Sequence, residues 1–276
     1  MSAKFYPNGA GGSVGDRLDT CKPLQCSGNI WYVNKLIGTN GGAPAGQNRE
    51  NPLATIAQAI VNAADDDIII CLQGHTETLT AVQAVNKRVT IIGEGTTGGK
   101  PGVSFLMNSG AATIFSAATQ GIEFRNLYFP ENVQVNASAK IAVTVDNVRI
   151  VGCYFEQGAN DNNGTGVSLA TCNQFRVEST TFISTGVIRT ALPGSAIKAA
   201  VAAALANIEM VDVVVSAGTV GFSNYAAIDL TPATSLARLK VLGLSLLLGA
   251  DMSVGSGWTG YVNCQLATGG SRCDLP

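Results

Sequence analysis

The chain has 276 residues, of which 13% are charged and 6% aromatic, with a net charge of −2. That balance excludes the basic face a nucleic-acid binder needs. The longest apolar runs, 199–206 and 241–250, fall short of the ~20 residues a membrane-spanning helix requires. The charged fraction is about half the ~25% usual for a soluble domain, so much of the surface is expected to be hidden against a partner.

Residues 1–29, rich in Gly, precede the first periodic element and read as an extended arm. Such a segment buries too little to fold alone and is expected to serve as an assembly contact. After Met1 come Lys4 and "YPNGAGGSVGD", with no apolar stretch, so no signal peptide is expected. "IWYV" (30–33) begins the ordered body. "NPLATIAQAI" (51–60) predicts a capping helix near 52–64, with Ala57, Ile60 and Ala63 on one apolar side. "ADDDIII" (64–70) places three acids side by side, but strand neighbours point to opposite faces, so it reads as a charged strand entrance rather than a metal site. His75 is the only histidine and lies in a turn. A packed or hydrogen-bonded structural role outweighs catalysis there, and a zinc site with a second His is excluded. "GEGTTG" (93–98) matches G-x-G-x-x-G, yet "GKPGVSF" follows where a dinucleotide would need a helix N-terminus, so the stretch reads as a turn.

From residue 121 the chain repeats itself. "GIEFRNLYF" (121–129) returns as "NVRIVGCYF" from 147, "QFRVESTTF" from 174, "NIEMVDVVV" from 207 and "RLKVLGLSL" from 238; a looser relative, "KRVTIIGEG", starts at 87. A period in the 20–50 residue range is the signature of a stacked-coil fold. The second and fourth positions are apolar in all five copies: Ile122, Val148, Phe175, Ile208, Leu239 and Phe124, Ile150, Val177, Met210, Val241. The third is charged in all five: Glu123, Arg149, Arg176, Glu209, Lys240. Alternation sends the first two sets inward and the charged ladder outward. A bend after the fourth residue accounts for the apolar seventh column, Leu127, Cys153, Thr180, Val213, Leu244. The ninth, Phe129, Phe155, Phe182, Val215, Leu246, predicts rings stacked up the core. The fifth drifts from Arg125, Val151 and Glu178 to Val211 and Leu242, and the eighth runs Tyr128, Tyr154, Thr181, Val214, Ser245, so the outer face becomes apolar toward the C-terminal coils.

"GANDNNGTG" (158–166) offers oxygen ligands, but Asp161 is its only carboxylate, and Asn and Gly are what tight turns need; the turn reading outweighs a calcium loop. The seven cysteines, Cys21, Cys26, Cys71, Cys153, Cys172, Cys264 and Cys273, are odd in number and include no C-x-x-C pair, which points to reduced thiols. No G-x-S-x-G elbow is present.

The rungs, together with "IWYVNKLIGTNGGAPAGQNRENPLATIAQAI" (30–60), "DDDIIICLQGHTETLT" (65–80) and "RVTIIGEGT" (88–96), resemble the pectin-lyase-like superfamily over roughly residues 30–266. The resemblance implies an all-β, single-stranded right-handed parallel β-helix with an N-terminal capping helix. The expected organisation is an arm at 1–29, a β-helix domain at 30–266 and a tail at 267–276.

Many relatives of that fold cleave acidic polysaccharides. The calcium-dependent lyase type needs an Asp cluster on one sheet, and the ladder here has none and mixes its signs. The polygalacturonase type needs "NTD", "DD", "GHG" and "RIK", which are absent. Hydrolytic carboxylates should sit ~5–10 Å apart, whereas two Arg separate the two Glu of the ladder, although loops could supply a pair. No catalytic, cofactor-binding or metal residue is therefore assigned. Sparse charge, an apolar outward stripe and the arm resemble bacteriophage virion proteins that reuse this fold. The expected function is a non-enzymatic capsid decoration or cement protein: a homotrimer without cofactors, assembled in the host cytoplasm, with the arm as its contact to the major capsid protein. A receptor-binding or depolymerising tail protein is the second reading and a bacterial carbohydrate-active β-helix enzyme the third.

Overall fold

The structure, a computed structural model, describes residues 28–41, 45–108, 113–133, 138–158, 164–184, 195–216, 227–247, 250–253, 260–266 and 272–274. Short strands stack in parallel, coil on coil, into a single-stranded parallel β-helix, and one short helix, Ile56–Asn62 (α1), sits at its entry. The first face of the coil carries, in stacking order, Ile30–Val33, Ile68–Cys71, Thr90–Gly93, Glu123–Arg125, Arg149–Val151, Arg176–Glu178, Ala204–Val211 and Ser235–Leu247. The second carries Thr76–Leu79, Ser104–Met107, Tyr128–Phe129, Tyr154–Gln157, Thr181–Ser184 and Val214–Ser216. The two merge where the long strand Ser235–Leu247 pairs with both Ala204–Val211 and Val214–Ser216.

Register puts the repeat columns directly above one another. Glu123 pairs with Arg149, Arg149 with Arg176, Arg176 with Glu209 and Glu209 with Lys240. The second and fourth columns are fully buried, and so is the ninth, where Phe129, Phe155 and Phe182 stack at centroid distances of 4.7 and 4.6 Å with ring planes 13° and 12° apart. The bend differs from the expectation. It falls at the sixth position, not after the fourth, and Asn126, Gly152, Ser179, Asp212 and Gly243 there all have φ between 47° and 65°. The first column is left-handed too, with Gly121 at 80° and Asn147, Gln174, Asn207 and Arg238 at 52° to 61°. A left-handed residue at the sixth position turns the chain and shifts the inward phase by one residue, so the buried set resumes at the seventh column.

The looser copy also shifts. Thr90 pairs with Glu123, so the third column begins its copy at 88 rather than 87. Val89 and Ile91 then point inward and are buried, whereas the earlier start would have aimed Arg88 and Thr90 at the core.

A third face was missed by the repeat reading. It stacks Gln83–Val85, Phe115–Ala117, Ile141–Val143, Val167–Leu169, Ile197–Ala199, Ile228–Asp229, Asp251–Ser253 and Arg272–Asp274, and so runs past residue 266. Its strands are two or three residues long, too short for a period to show.

Helix α1 is shorter than the 52–64 expected. Its buried face is Ile56, Ala59 and Ile60, continued by Ala63, while Ala57 is exposed: the apolar stripe starts one residue earlier than predicted. The Thr55 side chain accepts from the backbone N–H of Gln58 at 3.3 Å, and Glu77 Oε2 accepts from that of Ile56 at 2.9 Å. At the other end Lys87 Nζ donates to the carbonyls of Val61 and Ala63. The arm up to residue 27 lies outside the described residues. No helix among the described residues is long and apolar enough to cross a membrane.

Candidate functional site: the charged ladder on the first face

The outward columns of the first face place charge beside charge. Glu123 Oε1 accepts from Arg125 Nε at 2.7 Å, and Glu123 Oε2 accepts from Arg149 Nη1 at 2.9 Å. Arg149 Nη2 also lies 3.6 Å from Glu178 Oε2. Arg176 donates from Nε to Glu178 at 3.0 Å and from Nη1 to Glu209 Oε2 at 2.9 Å. Lys240 Nζ reaches Glu209 Oε1 at 3.5 Å. The result is a ribbon running up the coils in which each carboxylate is held by two cations. Glu123 is only 6% exposed, so this member of the expected outward ladder lies under its two arginines rather than in solvent.

Beside the ribbon runs a groove of about 680 Å³. One wall is the left-handed first column, Asn147, Gln174, Asn207 and Arg238; the other is Arg149, Arg176, Glu209 and Lys240, with buried Phe175 and Leu239 beneath. Four cations and one carboxylate line it, and three of the cations, Arg149, Arg176 and Lys240, are also paired with the glutamates of the ribbon. The third-column residues of this wall follow from the repeat read in the sequence. The fifth column, read there only for its drift toward apolar residues, brings Glu178 onto the same guanidinium as Glu209.

The second face carries a separate polar cluster. Lys100, from the antiparallel hairpin of Thr96–Thr97 and Lys100–Pro101, lies 5.0 Å from the Tyr128 ring centre and 5.2 Å from that of Tyr154, and pairs with Glu156, which also accepts from the Tyr128 hydroxyl. Burial, reinforced by that carboxylate, raises the Tyr128 hydroxyl well above its ordinary value; burial also raises Tyr154, against the opposing pull of Lys100. The cation–π contacts and the shared carboxylate fasten the hairpin to the sheet. "GEGTTG" thus ends in a hairpin, in keeping with its reading as a turn.

At the entry, His75 is fully buried. Its Nδ1 accepts from the backbone N–H of Lys35 at 3.0 Å, and its Nε2 lies 3.2 Å from Glu77 Oε2, the oxygen that caps α1. The three adjacent acids diverge. Asp66 pairs with Arg88, which holds its carboxyl below the usual range, while buried Asp67 accepts from the N–H groups of Asn29 and Ala64 and from the Trp31 indole. Cys71, Cys153 and Cys172 are free and buried; burial pushes the last two up to about 12 and Cys71 well above its ordinary value. The side chains of Cys21, Cys26, Cys264 and Cys273, and most of the 158–166 loop, lie outside the described residues.

Among known proteins, a solved rhamnogalacturonan lyase superposes on 90% of this chain with a TM-score of 0.56 and 10% sequence identity. What is shared is the fold. The superposition takes in 63% of that lyase, so part of it has no counterpart here. No family model matches the chain, and no curated protein matches it.

Proposed function

We propose that this chain is a non-enzymatic structural protein of a virus particle, a phage capsid decoration or cement protein acting as a homotrimer. The observation that carries the reading is the self-neutralised ribbon: Glu123, Glu178 and Glu209 are each held by two cations, which leaves a rigid, charge-balanced face. Beside it Val151, Val211 and Leu242 stay half-exposed in the fifth column. A rigid surface with paired charges and an apolar row suits protein contact at little desolvation cost. Threefold association would join these rows, and the far part of the arm would reach the shell. Immunogold labelling of particles from cells carrying the gene tests the location: label on the shell supports it, and unlabelled particles contradict it.

A second reading rests on the cation-lined groove and on the fold shared with a carbohydrate lyase. In it, Arg149, Arg176 and Lys240 hold an acidic polysaccharide. Incubating the full chain with acidic polysaccharides and following chain length separates the two. The structural reading predicts no shortening; cleavage that is lost in Arg176→Ala would put the second reading first.

A further inference from the structure

The loop that follows Ile30–Val33 is tied to the segment leading into α1 by one side chain. Asn40 Oδ1 accepts from the backbone N–H of Ala54 at 2.9 Å and from that of Thr55 at 3.2 Å. Its Nδ2 donates to Thr55 Oγ1 at 3.0 Å. Both polar atoms of the carboxamide are therefore fixed. Two N–H groups converging on one carbonyl oxygen are also what holds the charge of a tetrahedral intermediate, with the donors in place before any bond forms.

The next residue is Gly41, exposed, with nothing within 4 Å of the place a Cβ would take. Without a Cβ the chain is free to turn its nitrogen toward a neighbouring carbonyl. That nitrogen donates to Thr39 Oγ1 at 3.3 Å. Nucleophile and carbonyl belong to adjacent residues, so bringing them together costs no translational entropy. The other Asn–Gly pairs, Asn8–Gly9 and Asn163–Gly164, lie wholly or partly outside the described residues.

We infer that Asn40 is a self-modification site, at which the fold promotes loss of the side-chain amide. The Gly41 nitrogen attacks Asn40 Cγ and gives up its proton to water beside Thr39 Oγ1. The Ala54 and Thr55 N–H groups hold the charge that builds on Oδ1. The Cγ–Nδ2 bond then breaks. Nδ2, protonated through the Thr55 hydroxyl, leaves as ammonia, and a cyclic imide remains. Water opens the imide at either carbonyl, giving aspartate or isoaspartate at position 40. Aspartate keeps an acceptor for Ala54 and Thr55. Isoaspartate moves a methylene into the main chain, which draws the loop away from Thr55 and loosens the entry cap.

The test follows the full chain by mass spectrometry in mildly alkaline buffer, beside a synthetic peptide of residues 36–49, the fragment that trypsin releases. Fragment ions place the conversion of amide to acid. In the folded chain, conversion of Asn40 should run severalfold faster than in the peptide, with isoaspartate among the products. A rate at or below the peptide's would overturn the inference. Thr55→Ala should slow the conversion in the folded chain and Thr55→Ser should restore it; an unchanged rate in Thr55→Ala would also overturn it.

Discussion

At the scale of single residues, the fold depends on which side chains accept a left-handed backbone and which stack. Gly152 sits at φ 62° with open space where a Cβ would go, so Gly152→Ala measures backbone strain alone. It should cost about 1–2 kcal/mol in urea unfolding; a neutral result would mean the bend relaxes. Phe155 stacks between Phe129 and Phe182, and Phe155→Ala should cost about 3–5 kcal/mol by the same assay. The buried thiols make a pH prediction. Cys153 rises from 9.0 to about 12 on folding, so between those values the unfolded chain has released a proton that the folded chain keeps. Its contribution is complete below pH 9 and is lost at about 1.4 kcal/mol per pH unit as pH rises toward 12. Unfolding of Cys153→Ala should show a correspondingly shallower loss over that range; an identical slope would contradict the assignment. The inward and outward columns were legible in the sequence because alternation survives in every copy. The bend was misplaced because Asn126, Ser179 and Asp212 adopt a conformation that only Gly152 and Gly243 advertise.

At the scale of elements, the entry cap shows how a helix of seven residues is held. Such a helix does not persist on its own propensity. Thr55 and Glu77 satisfy its first N–H groups, and Lys87 satisfies carbonyls at its end. Thr55→Ala should lower stability by about 1 kcal/mol, with faster amide exchange confined to residues 56–62; loss spread over the coils would mean that the cap nucleates the solenoid. The helix was legible as an element, but its boundary was not, since the cap from Glu77 comes from a strand 21 residues away. The third face was illegible for a related reason. Strands such as Phe115–Ala117 and Ile197–Ala199 are defined by the strands above and below them, not by a pattern of their own. Of the candidate site, the charged column could be read directly, while its pairing could not, because that depends on which coil stacks on which. Glu178 and Glu209 meet on Arg176 only once register is fixed.

At the scale of the whole molecule, no coil closes its apolar rows without its neighbours, so stability accumulates along the stack. The same stacking turns isolated charges into a balanced ribbon and isolated apolar positions into the row of Val151, Val211 and Leu242. The proposed function enters at this scale, through contact between surfaces. The most direct test is the mass of the full chain in solution by light scattering, with Leu242→Asp measured beside it. The account predicts a particle of three chains of 28.3 kDa, reduced to single chains by the substitution while the β-sheet circular dichroism is kept. A single-chain mass for the unaltered protein would contradict it and leave the cation-lined groove as the surface to explain.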